Sequence, residues 1–120
     1  MRLVLASSSP RRKGLLETLQ LRFEVLAIDV DETRFPDEGP AAYVERVARV
    51  KAEAAAGEGL LVIAADTMVA HEGRFMGKPG HPEEARAMLR RLQGDVHEVF
   101  TGVAVASWEG GPRVRSLVDV

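Results

Sequence analysis

Apolar positions along this chain switch between a two-residue and a helical period, and the switches mark its elements. Arg2 to Ala6 has strand length, Pro10 to Leu19 has helical spacing, and Phe23 to Ile28 reads as a second strand. The stretch Asp29-Val30-Asp31-Glu32-Thr33-Arg34-Phe35-Pro36-Asp37-Glu38-Gly39-Pro40 is too polar and too broken by proline for regular structure, which predicts a loop on the scale of an active site. Gly39-Pro40 opens a helix expected to run to about Ala56 and to stop at Gly57. Leu60 to Ala70 is a mostly apolar strand, His71 to Arg74 a turn, and Phe75-Met76 a short return strand before Gly77-Lys78-Pro79-Gly80. Pro82 to Leu92 is predicted as a helix with acids first and arginines last. Val96 to Ser107 and Val114 to Val120 close the chain as two strands around Glu109-Gly110-Gly111.

Two residues violate this pattern. On the 40–56 helix, Val44, Val47, Ala48, Lys51 and Ala55 share one stripe, while Glu45, Arg46, Arg49 and Glu53 take the solvated side. A lysine on the apolar stripe must either snorkel to water near the helix end or meet an anion in a crevice. In the crevice case Lys51 is aimed at a phosphate or at charge developing on a leaving group. Asp66 in turn interrupts the apolar run of the third strand. An unpaired carboxylate cannot be buried there, so it requires a cation, a metal or hydrogen-bond donors at a cleft. The structural alternative is an Asp66-Thr67 bulge that bonds its own backbone.

The first loop adds positive charge. Leu5-Ala6-Ser7-Ser8-Ser9-Pro10-Arg11-Arg12-Lys13 joins a strand to a helix with Ser9 at the N-cap and Pro10 at the first helical position. Hydroxyls, open N-terminal amides and two guanidinium forks suit a phosphate, although a capped helix with solvated arginines has the same sequence. Gly77-Lys78-Pro79 projects a third lysine from a tight connection, which is also an ordinary surface turn. The sixteen basic residues include only three lysines, Lys13, Lys51 and Lys78, in a chain that otherwise writes arginine.

Composition narrows the class. At 120 residues and 46% hydrophobic the chain builds one core and one domain, 1–120. It carries no cysteine, no apolar stretch long enough for a membrane span and no leader pattern, so cytoplasmic residence without membrane attachment is the expectation. A net charge of -2 argues against duplex nucleic acid as a partner. Neither a Walker A string nor Gly-x-Gly-x-x-Gly is present, and the histidines at 71, 81 and 97 do not pair at metal-ligand spacing. Two arginines, two lysines and the carboxylates Glu32 and Asp66 together describe a site for a substrate with several phosphates and a divalent ion. Magnesium fits such a site because it keeps waters and shares its shell with phosphate oxygens.

These residues resemble the Maf proteins, also called septum formation inhibitor proteins, which are nucleoside triphosphate pyrophosphatases. The likeness rests on Leu5 to Arg12, Asp29-Val30-Asp31-Glu32-Thr33, Ala48-Arg49-Val50-Lys51-Ala52, Ala65-Asp66-Thr67, Gly77-Lys78-Pro79 and His97 to Val103, in that order along the chain. It implies an α/β fold with an elongated mixed sheet flanked by helices and a central cleft, commonly in a homodimer. It implies hydrolysis of a nucleoside triphosphate between its α- and β-phosphates with Mg²⁺ or Mn²⁺. Asp66 then stands as general base, Lys51, Lys78 and Glu32 complete the catalytic set, Glu32 and Asp66 take the metal, and Ser7, Arg11, Arg12 and Thr67 bind substrate. Arg11-Arg12 and the threonine after the aspartate resemble the branch acting on dTTP and UTP. The 7-methyl-GTP branch tends to carry tryptophan at the position of Arg11 and glutamine at that of Thr67. Members of the family continue past Val120 through a segment that supplies a base-contacting glutamine, so the 120 residues alone are expected to turn over poorly. The alternative reading is a non-catalytic nucleotide sensor acting on cell-division proteins, but only catalysis needs a carboxylate facing the phosphate cations. A single-strand nucleic-acid binder is disfavoured by the 5% aromatic content.

Overall fold

The computed structural model describes residues 1–7, 9–71, 74–76, 83, 86 and 97–120. The elements within them are β1 (Arg2–Ala6), α1 (Pro10–Thr18), β2 (Glu24–Leu26), α2 (Pro40–Ala55), β3 (Leu60–His71), β4 (Arg74–Met76), β5 (His97–Trp108) and β6 (Pro112–Asp119). They build one mixed sheet in the order β2-β1-β3-β5-β6, with β4 also on β3. β1 runs parallel to β2 and β3, whereas β3–β5, β5–β6 and β3–β4 are antiparallel. The molecule is elongated, 47 × 33 × 23 Å. The α/β class, the mixed sheet and all of these elements agree with the sequence pattern. The helix expected over 82–92 lies outside the described residues apart from Glu83 and Arg86.

Alternation along the strands decides what α2 covers. Val4, Ala6, Val62, Ala64, Ala104 and Ala106 point to one face, where Ala48, Ala52 and Ala55 of α2 pack on them. Tyr43, Val44 and Val47 continue that stripe onto Met68, Phe100 and Val118. Small residues on both sides let the helix lie close to the sheet. Gly102 marks the tightest approach: a Cβ there would stand 2.3 Å from the Val44 carbonyl oxygen. On the other face Val99, Val105 and Leu117 stay exposed, as do Leu15 and Leu19 near α1.

Two local expectations change. The second strand is only three residues long, because it pairs solely with the end of β1, from Val4 to Ala6. Helix α2 ends on an extended Ala56, and the left-handed glycine is Gly59, so Gly57 is not the αL stop that its position implied.

Candidate active site

The site forms where β3 loses a neighbour. One edge of β3 pairs with β5 from Val62 to His71. The other edge pairs with β1 from Leu60 to Ala64 and with β4 from Val69 to His71. Ala65, Asp66, Thr67 and Met68 therefore have no strand partner on that edge among the described residues. The register of β3 against β5 runs unbroken through Asp66↔Gly102 and Thr67↔Thr101, so the Asp-Thr bulge is not formed.

Asp66 and Gly102 are cross-strand partners, which aims the carboxylate toward the α2 face. Lys51 meets it there, with Nζ 3.4 Å from Asp66 Oδ1 and 3.2 Å from Glu32 Oε1. The lysine and the aspartate side chains are each 14% exposed, while Glu32 on its loop is 50% exposed. Lys51 thus takes the crevice rather than snorkelling, and its immediate anions are two carboxylates. Both contacts are longer than a tight charge-assisted bond of about 2.8 Å, so the ammonium is shared and not saturated. Burial pushes the Asp66 carboxyl above its ordinary range, and Glu32 adds to that, against the opposing pull of Lys51 and Arg12.

Thr67 and Thr101 point to the opposite face, where α1 begins. Arg12 Nη2 donates to Thr67 Oγ1 at 3.1 Å and Nη1 donates to Ser7 Oγ at 3.2 Å. Ser7 is buried and also accepts from the Ser9 amide. The Thr67 and Thr101 hydroxyls lie 3.4 Å apart. Among the described residues the guanidinium is held by neutral hydroxyls, with no carboxylate in contact with it. Burial lowers its pKa, and the field of Asp66 works the other way.

The sequence-derived set therefore converges in two groups, Glu32–Lys51–Asp66 and Ser7–Arg12–Thr67, joined across the bare edge of β3. Arg11 is exposed on the first turn of α1 and enters neither group's hydrogen bonds. Ser9 is the N-cap residue, but its side chain makes no capping bond. Lys78 lies outside the described residues.

Pattern reasoning missed the residues that hold the Glu32 loop. Tyr43 Oη donates to the Glu32 carbonyl at 2.7 Å. Arg46, expected on the solvated side, donates through Nε and Nη2 to both Glu38 carboxylate oxygens at 2.6 and 2.9 Å, and through Nη2 to the Thr33 carbonyl at 2.9 Å. Its guanidinium also covers the Phe35 ring, 4.1 Å from the centroid. This fork lowers the Glu38 carboxyl below its ordinary value. The available signal was an acid and an aromatic in the loop that the helix had to anchor.

A mixed α/β sheet with a largely buried acid, a bridging lysine and a guanidinium fork at one strand edge defines an α/β protein with a charged cleft. Comparison sharpens that class to a family. A model of the family described as Maf-like protein matches residues 2–119, and the chain belongs to that family. A dTTP/UTP pyrophosphatase of Myxococcus xanthus (strain DK1622) is 54% identical over 106 residues, covering 87% of this chain and 54% of the relative. Its counterpart in Syntrophus aciditrophicus (strain SB) is 46% identical over 119 residues, 98% of this chain and 58% of the relative. A third, from Salinibacter ruber (strain DSM 13855 / M31), is 44% identical over 119 residues with the same coverages. The chain spans rather more than half the length of these curated relatives.

Proposed function

We propose that this chain carries the phosphate- and acid-handling site of a nucleoside triphosphate pyrophosphatase that converts dTTP or UTP to the monophosphate and pyrophosphate. The observation that carries the reading is Asp66, a largely buried carboxylate with a raised pKa beside Lys51 and Glu32 and within the field of Arg12. The base preference draws its support from the names of the relatives and from Arg11, Arg12 and Thr67.

In this reading Arg12 binds phosphate oxygens with the N–H groups that Ser7 and Thr67 leave open. Asp66 orients a water and accepts its proton as the oxygen bonds to the α-phosphorus. The bond from the α-phosphorus to the bridging oxygen breaks, and pyrophosphate leaves. A carboxyl with a raised pKa is a better proton acceptor than an ordinary aspartate. Lys51 is free to transfer one of its two loose contacts to the leaving group. Lys78 is assigned the same duty from the sequence alone.

Glu32 and Asp66 fit a hard divalent cation such as Mg²⁺ or Mn²⁺, since the Lys51 ammonium already sits between their oxygens. Mg²⁺ commonly keeps waters and phosphate oxygens in its shell, so Glu32 and Asp66 would be its ligands from the protein. When bound, it would neutralise phosphate charge. The reading extends to a homodimer resident in the cytoplasm and to a link with septum formation, on the strength of the family likeness. No helix among the described residues is long and apolar enough to cross a membrane.

The test is a panel of nucleoside triphosphates with Mg²⁺ or Mn²⁺, scored for pyrophosphate against orthophosphate. Slow release of pyrophosphate from dTTP and UTP is expected, in keeping with the poor turnover expected of these 120 residues, and Asp66→Asn abolishes it while nucleotide still binds. Orthophosphate as first product overturns the role of Asp66. Binding without any release identifies a non-catalytic sensor instead.

A further inference from the structure

We propose that Arg46 is the positioning residue of this site: it clamps the 29–39 loop onto α2 and so holds the Glu32 carboxylate against Lys51. The proposal rests on the pyrophosphatase reading for its kinetic consequence, but the clamp itself is geometric.

The loop reaches α2 through side chains of the helix. Its own bonds are local: the Thr33 amide donates to Asp31 Oδ1, the Glu38 amide to the Phe35 carbonyl and the Phe35 amide to Glu38 Oε1. Phe35 remains 55% exposed. Ties to α2 come from Tyr43 and Arg46, one helical turn apart. Tyr43 holds the Glu32 carbonyl. Arg46 supplies the fork to Glu38, the bond to the Thr33 carbonyl and the cover on Phe35, and these grip the loop at three places after Glu32. The Arg46 side chain is 23% exposed and that of Glu38 only 9%, which sets this pair apart from an ordinary surface ion pair. Lysine cannot reproduce the arrangement, because the contacts use separate edges of a planar fork.

The link to chemistry is positional. The Thr33 carbonyl that Arg46 holds is one residue from Glu32, whose carboxylate is 3.2 Å from Lys51 Nζ. Release of the clamp leaves the Glu32 carbonyl on Tyr43 but loosens the segment that follows it, and the carboxylate drifts from the lysine. Reacting groups misplaced by about 1 Å lose on the order of 10- to 100-fold in rate. The acid of the loop contributes to the chemical step rather than to holding the base, so the loss falls on kcat.

The experiment compares wild type, Arg46→Gln, Arg46→Lys, Glu32→Gln and the Arg46→Gln/Glu32→Gln double variant. Arg49→Gln serves as control, since Arg49 is also a helix arginine but donates to Ser116 Oγ on β6. Expected are a kcat loss of about tenfold or more for Arg46→Gln with KM within about twofold, no rescue by lysine, and an unchanged kcat for Arg49→Gln. Arg46→Gln should cost nothing further once Glu32 is already glutamine, because groups acting through one another do not add. Multiplying losses, or a KM rise with kcat intact, overturn the proposal. Should Arg46→Gln fail to fold, Glu38→Gln weakens the same fork and takes its place. Amide hydrogen exchange provides the arm that needs no activity: Arg46→Gln, or Glu38→Gln in its place, should speed exchange across 30–39 and leave α2 protected. If wild type releases no pyrophosphate, the functional reading fails and exchange alone decides the clamp. Unchanged exchange over 30–39 overturns it in either case.

Discussion

Gly102→Ala perturbs the contact between α2 and the sheet at the rung that carries Asp66. The new Cβ would stand 2.3 Å from Val44 O, 2.5 Å from Val44 C and 2.8 Å from Glu45 N. All three are helix backbone, so no side-chain rotation relieves them. Cβ atoms essentially never approach a neighbour within 3.0 Å, and helix and strand must part by about 0.7 Å or more at this point. The separation loosens the alanine seam on either side and costs about 1–3 kcal/mol, toward the upper end because the obstruction is main chain. For a chain of this size that is a fall in Tm of roughly 5–15 °C. Thermal and urea melts measure it, with Gly14→Ala as the matched control. A Cβ at Gly14 meets nothing within 4 Å inside α1, so that change should stabilise by up to about 1 kcal/mol. Turnover should fall further than stability in Gly102→Ala, because α2 carries Lys51 away from Asp66 as it lifts. A Gly102→Ala protein melting within about 1 °C of wild type refutes the close-approach argument.

The acid limb of kcat/KM should report Asp66 and lie above the range of an ordinary aspartate, among the charged and titratable neighbours Lys51, Glu32, Arg12 and Tyr43. Lys51→Gln removes the largest influence that lowers the Asp66 pKa and should move the limb to higher pH, whereas Glu32→Gln removes one that raises it and should move the limb lower; shifts of the same sign in both would contradict the assignment. Arg12→Lys breaks the fork between Ser7 and Thr67 and should weaken triphosphate binding by about tenfold, read by calorimetry. Glu38 has a depressed pKa, so its fork with Arg46 adds stability above the unfolded-state value near 4.5 and loses it as pH falls through the folded-state value. Melts of wild type and Glu38→Gln should therefore differ at neutral pH and converge in acid.

Much of this was legible in the residues because violations of period are local signals. Lys51 on an apolar stripe and Asp66 in an apolar strand each announced an unmet charge, and the fold joins them at 3.4 Å. The Ser-Pro-Arg start of α1 likewise marked the second group. What the sequence hid depends on contacts between distant segments. Arg46 falls among Glu45, Arg49 and Glu53 on the polar side of α2, and nothing in that spacing shows that the 29–39 loop lies against it. Gly102 is an unremarkable strand glycine until the helix packs on it. Arg11 and Arg12 are adjacent and chemically alike, yet helical geometry sends only Arg12 to Ser7 and Thr67.

Consecutive strand residues face opposite ways, so Asp66 and Thr67 cannot serve one ligand across an intact sheet. Helices α1 and α2 lie on opposite faces for the same reason that their strands are ordered β2-β1-β3: the chain steps outward past β1 through α1 and back across it through α2, with right-handed crossovers placing one helix on each side. A phosphate chain reaching both Arg12 and Asp66 has to pass the edge of β3 itself. Among the described residues that edge has no strand partner over Ala65 to Met68, between the last rung of β1 and the first rung of β4. One more rung of β1 pairing at Ala65 would crowd the gap and bring Ser7 into the ladder instead of leaving its hydroxyl for Arg12. The early end of β1 at Ala6, which in the sequence is simply where leucine and alanine give way to serines, is thus what connects the cationic face to the acidic one.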